Sequence, residues 1–365
     1  MTNKLLIVVS FLTYSLFLSP VLASSQLNQN SEIDEFELFE EIDVQKSKNS
    51  VKKVQNTKPL NNQKDLLAAQ KLVQENKIQE ATRLLWKKIG DLNNESIFYL
   101  ADLHKELHEP EDAIKALSLV LAKDEKNFIA LTKIGESQLQ LPKKEKDAME
   151  SFKSALEINA KHEAAYIGLI RIYEKKKNLY ELRIIYQDMI KNIGSKALYS
   201  EKLCEINTKD QIYEPAIRDC KLAIRLNDKA CDSYVYLGMA YKYIGDETLG
   251  IENLVRATTK CPKNDFALLT YGKHLEEKKN YLEANKFYFQ CTQSNTNNGL
   301  CWLGLAKSSF ELKNNEQSVE AYKKACKLVR EQAAASLRKS IQFFRSSKSI
   351  KDGEKYEAIL EQCSL

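Results

Sequence analysis

Residues that interrupt helices are scarce, with 11 glycines and 6 prolines in a chain of 365. That argues against an architecture of short strands, where glycine and proline punctuate every few residues. Cysteine is missing from the first 203 positions; all eight lie at 204, 220, 231, 261, 291, 301, 326 and 363. None forms a C-x-x-C, so neither a dithiol redox motif nor a zinc ribbon is indicated. The chain has no G-x-S-x-G elbow, no Walker loop and no dinucleotide fingerprint. No enzyme activity and no cofactor are expected. His104 and His108 stand four apart, but Lys105-Glu106-Leu107 between them is not the H-E-x-x-H of a zinc site. They read as core or turn histidines, so no metal is expected. The net charge of +5 is small against 55 basic and 50 acidic residues and does not call for nucleic acid.

What is present is a repeat. In Cys231–Asn264, Tyr234, Leu237 and Tyr241 fall on one stripe of a first helix, and Leu254 and Ala257 on the facing stripe of a second. Gly238 and Gly250 are small where the two helices meet. Gly245-Asp246 supplies a turn and Pro262 a stop. The pattern returns from Asp265, with Leu268, Tyr271, Gly272, Leu275, Ala284, Tyr288 and Cys291 in register. It returns again from Gly299, with Trp302, Leu305, Ala306, Tyr322 and Ala325. Helix pairs of this kind cannot cover their own apolar stripes, so they must stack.

These positions resemble the tetratricopeptide repeat (TPR), a 34-residue helix–turn–helix unit. The resemblance implies an all-α fold: an α-solenoid of about eight repeats starting near 62, 94, 128, 163, 197, 231, 265 and 299. Together they span 62–332, with a polar, basic capping helix pair over 333–365. Upstream, residues 1–23 read as a secretory signal: Lys4, an apolar Leu5–Leu18, and Val21 and Ala23 before a cleavage site. An uncleaved anchor is the alternative. Residues 24–61 read as an acidic-then-basic tail, in which Glu32–Asp43 interleaves carboxylates with Ile33, Phe36, Leu38, Phe39 and Ile42. That segment is either a solvated tail or a docking motif.

In this family the first helices form the inner face, mainly through positions 2, 5, 9 and 12. The resemblance therefore implies a partner-binding groove of Val235, Met239 and Lys242 in the sixth repeat. It continues through Phe266, Leu269 and Lys273 in the seventh and Leu303, Lys307 and Phe310 in the eighth. An apolar floor with lysines along it suits an acidic, aromatic-bearing peptide or helix. Alternatively Val235, Leu269 and Leu303 only pack between adjacent first helices. The carboxylate-gripping clamp of TPR co-chaperones is not matched, because position 5 is apolar in all three repeats.

The even number of cysteines behind an export signal favours disulfides, against the alternative of eight small buried residues. On antiparallel helix pairs, Cys231 and Cys261 lie at ends that meet, and Cys204 faces Cys220. Cys291 and Cys301 flank a repeat junction; Cys326 and Cys363 pair by elimination. The reading is thus a non-catalytic protein-interaction scaffold, periplasmic or secreted, with a protein or peptide partner and no stable membrane span once the signal is cleaved. Alternatives are a co-chaperone with many clients and a regulatory subunit of an envelope enzyme. Nothing in the pattern sets an oligomeric state.

Overall fold

The computed structural model describes residues 61–347 and 349–364. The signal, its cleavage site and the acidic segment lie outside the described residues. Among those described, eighteen α-helices follow one another without a strand. The first four repeats are α1 (Asn61–Gln74) with α2 (Ile78–Lys87), α3 (Asn94–Glu106) with α4 (Pro110–Lys123), α5 (Phe128–Leu139) with α6 (Glu145–Ile158), and α7 (Glu163–Lys175) with α8 (Leu179–Asn192). The next four are α9 (Ala197–Lys209) with α10 (Tyr213–Leu226), α11 (Cys231–Tyr243) with α12 (Glu247–Lys260), α13 (Asp265–Glu277) with α14 (Tyr281–Ser294), and α15 (Gly299–Glu311) with α16 (Asn315–Leu328). A ninth pair, α17 (Arg330–Ser346) and α18 (Ile350–Ser364), covers the end. From α3 onward each helix packs on its partner and on the next pair, and most first helices also touch the next first helix, as in an α-solenoid.

Local chemistry sets the boundaries. Asn93, Asn127, Asn178, Asn264, Asn280, Asn298 and Asn314 cap helices by accepting a hydrogen bond from a backbone N–H in the first turn. First helices end where one residue turns left-handed. Gly245 serves this role in the sixth repeat, but Lys143, Lys177, Lys279 and Lys313 take it elsewhere, at φ 63, 52, 58 and 60°. One extra residue in the Leu141–Lys144 turn places the start of α7 35 residues after that of α5, where later starts keep 34.

The core is a file of shared rings. Phe152 of α6 is fully buried and lies against Gly135 of α5 and Gly168 of α7. Tyr288 of α14 does the same between Gly272 of α13 and Gly304 of α15. A Cβ at Gly168 would sit 2.3 Å from the Phe152 ring, and one at Gly304 2.4 Å from Tyr288. Glycine there is a packing requirement, because the next repeat's first helix rests directly on the ring.

All eight cysteines are joined. Cys204–Cys220 and Cys231–Cys261 link the two helices of a repeat, with Cα atoms 4.7 and 6.0 Å apart. Cys291–Cys301 ties α14 to α15, and Cys326–Cys363 ties α16 to α18, at 5.7 and 5.1 Å. These are the three pairs that helix geometry suggests and the Cys326–Cys363 pair left by elimination.

Candidate functional site

The first helices α13, α15 and α17, with Tyr281 of α14 and Tyr322 of α16, border an open cleft of about 580 Å³. Lys273 and Glu276 enter from α13, Lys307 and Phe310 from α15, and Lys339 and Phe343 from α17. Ser336, Ser340 and the Tyr322 hydroxyl line its floor; the Ser336 hydroxyl lies 2.7 Å from that phenol oxygen. Burial pushes the Tyr322 phenol up, so it stays a neutral hydrogen-bonding group.

The charges are not equivalent. Glu276 takes an ion pair from Lys307 and also accepts a hydrogen bond from the Tyr288 hydroxyl at 2.6 Å. Glu277 pairs with Lys242 at 3.0 Å. Both carboxylates are engaged, and Lys273 has neither an ion pair nor a hydrogen bond among the described residues. Its half-buried ammonium is pushed below the ordinary lysine range, first by burial and then by the charge of Lys307; Glu276 and Glu277 oppose the shift only in part. Beside it the Phe343 ring is 54% exposed, though it packs edge-on against Phe310 with centroids 5.5 Å apart. A half-buried cation without a direct ion pair next to an open aromatic face favours a ligand carrying both an anion and apolar surface.

Of the expected groove, Lys273, Lys307 and Phe310 meet in this cleft. Val235 and Leu269 do not. They are buried, at 0% and 6% exposure, in the cores between repeats, as the packing alternative expects. Met239 and Leu303 are half-buried against the same cores. Phe266 is tilted onto Tyr236, 5.2 Å between centroids, and Lys242 is spent on Glu277. Sequence reasoning missed the contribution of α17. Extending the 34-residue phase from Gly299 would start that helix at 333, but Val329 alone separates it from α16, so it starts at Arg330. Ser336, Lys339 and Phe343 of this helix line the cleft.

Elsewhere the inner face is closed by its own charges. Lys133 pairs with Asp102 at 2.6 Å, and Lys105 with Glu136 at 2.5 Å, between α3 and α5. His104 is buried edge-on against Trp86, centroids 5.1 Å apart, and its Nδ1 lies 2.9 Å from Glu109. Asp112 lies near the same two groups. The contact ties the end of α3 to the start of α4.

No family model and no curated protein matches the sequence. Among solved structures, YrrB, described as a TPR protein with an unusual peptide-binding site, is 15% identical, with a TM-score of 0.41 over 52% of this chain and 96% of that one. Pseudomonas aeruginosa pilF is 14% identical, with a TM-score of 0.44 over 65% and 99%. Yeast Tom70 is 17% identical, with a TM-score of 0.45 over 72% of this chain and 60% of its own. The fold is a tetratricopeptide-type solenoid. Its helix pairs and their period establish that.

Proposed function

We propose that the protein is a non-catalytic scaffold that holds an acidic, aromatic-bearing segment of a partner protein in the cleft between α13, α15 and α17. The observation that carries this reading is Lys273: a half-buried ammonium with no direct ion pair among the described residues, facing a cleft with an exposed ring at its rim. A partner carboxylate would supply the missing charge, and an aromatic or aliphatic side chain would cover Phe343. Lys307 orients by holding Glu276, and is a poor first target for mutation because its loss frees a carboxylate bonded to Tyr288.

The setting proposed is a bacterial envelope, reached by export and cleavage after Ala23. Four bridges within bonding distance support an oxidising compartment. Intact-mass measurement on protein from the native host should find a chain beginning at Ser24. For the cleft, Lys273→Glu and Phe343→Ala are separate tests in pull-downs from envelope extract. Each should lower recovery of a stoichiometric partner about tenfold or more, with helicity unchanged, as expected for a desolvated charge or an aromatic anchor. Recovery equal to that of the unaltered protein in both variants would refute the cleft.

A further inference from the structure

A second surface lies on the edge formed by the turns within repeats three and four. The α5–α6 turn carries Lys143 and Lys144, with Lys146 one step into α6; the α7–α8 turn carries Lys176 and Lys177, with Lys175 just before it. Glu145 joins the two turns, because Lys176 and Lys175 both reach it, at 2.8 and 3.5 Å. The paired ammonium of Lys176 holds the Glu145 carboxyl below the usual range, so it stays charged. Lys144 is paired with Asp147 at 2.7 Å.

Lys143, Lys146 and Lys177 remain. All three are exposed, and none of their ammonium groups has an ion-pair or hydrogen-bond partner among the described residues. Lys143 and Lys177 also occupy the left-handed turn positions, which glycine or asparagine would hold with less strain. Backbone geometry therefore does not explain a lysine at either site. Next to them Tyr180 is 63% exposed, among the most open large hydrophobics of the described chain, and Pro142 is exposed as well. This edge is separate from the cleft, which is built from repeats seven and eight and the ninth pair.

We infer that this edge docks the protein peripherally on an anionic lipid bilayer. The chemistry favours a diffuse anionic surface over a single phosphoryl ligand. The cations are lysines, compact point charges without the planar fork that grips one phosphate, and they are spread over two turns. A tyrosine standing clear of the protein beside them suits the headgroup region, where an apolar ring with a polar tip is favoured. The association is peripheral, since no helix among the described residues is long and apolar enough to cross a membrane.

The test is co-sedimentation of the full chain with two kinds of vesicle, pure phosphatidylcholine and phosphatidylcholine mixed with phosphatidylglycerol. The quantity read is the gain in affinity from the first to the second, so any contribution of residues 1–23 to binding in general cancels. The triple variant Lys143→Ala, Lys146→Ala, Lys177→Ala should reduce that gain on the order of a hundredfold, about fivefold for each lysine near an anionic surface. Tyr180→Ala should weaken binding several-fold on both vesicles. Lys273→Ala should leave the gain untouched, which separates failure of this surface from failure of the cleft. The inference is overturned if the unaltered protein shows no gain on anionic vesicles, if the triple variant keeps it, or if soluble polyphosphate is bound more tightly than either vesicle.

Discussion

Repeats one to four and the five helix pairs that follow share ion pairs between first helices, but only the second set is also cross-linked. The first half has no cysteine; its first helices are joined through charge, Lys133 to Asp102 and Lys105 to Glu136, as those of the second half are by Lys242 to Glu277 and Lys307 to Glu276. The second half carries four disulfides and leaves part of its inner face unneutralised. The two facts fit together. Ion pairs between first helices spend charges a ligand would need, in the second half at Lys242 and Lys307 too, while the bridges add ties that use no charge. Cross-linking thus leaves room for a cation such as Lys273 to stay unpaired.

The sharpest way to break this comparison is reduction. The bridges span 16, 30, 10 and 37 residues, and each should stabilise by about 2–4 kcal/mol through the unfolded chain. Solenoid stability is near to a sum over repeats and their interfaces, so the loss should stay local. Hydrogen exchange with and without reductant should show protection lost across 197–364 and retained across 61–192. Equal loss in both halves would mean that the stack unfolds as one unit and that the bridges serve all of it.

A smaller effect comes from the shared rings. Gly168→Ala drives a methyl into Phe152, and Gly304→Ala drives one into Tyr288. Overpacking of this kind costs about 1–3 kcal/mol. Relief requires the next repeat to shift outward. At α6–α7 no covalent tie prevents that, whereas Cys291–Cys301 clamps α14 to α15. Gly304→Ala should therefore cost more than Gly168→Ala in denaturant melts, and the excess should disappear when Cys291 and Cys301 are both replaced by alanine. Equal costs in the oxidised protein would show that the bridge does not stiffen the junction.

Much of this was legible in the sequence, and what was not has physical reasons. Repeat period and helix pairing follow from apolar spacing, since a 34-residue recurrence of Leu, Gly, Tyr and Ala has few other uses. The cleft was legible only in part. Spacing places Val235 and Leu269 on an inner stripe but does not say that the neighbouring first helix covers them. It cannot tell Lys273 from Lys242, because the difference lies in which carboxylate each side chain reaches. Phe343 belongs to α17, whose start lies three residues early, a shift that no apolar pattern announces. The lysines in left-handed turns were equally hidden, since glycine is the residue a turn of that shape suggests.

The smallest effect is that of acid. In the first half, burial alone would raise the Glu136 carboxyl, but the ammonium of Lys105 beside it, with Lys133 and Arg171, holds it below the ordinary 4.5. Glu145 is likewise lowered, first by its hydrogen bond from Lys176. A depressed carboxylate contributes stability that is fully present above its unfolded value and is lost as pH falls through the folded one. The fifth repeat contains the opposite case. Burial raises Glu201 and Asp219, above ordinary values of 4.5 and 3.8. Their charged forms are a burden on the folded state at neutral pH, and that burden lifts as pH falls through the raised values. Glu205, held low by Lys202 and Lys209 against its own burial, offsets part of this relief. Acidification from about pH 7 to about pH 4 should therefore weaken protection around α3 to α6 before it weakens α9 and α10. Hydrogen exchange corrected for intrinsic rates would measure it, and Glu136→Gln should flatten the response of the first half. Earlier loss in α9 and α10 would mean that Glu205 outweighs its two neighbours, and that the halves differ in their covalent ties but not in their dependence on charge.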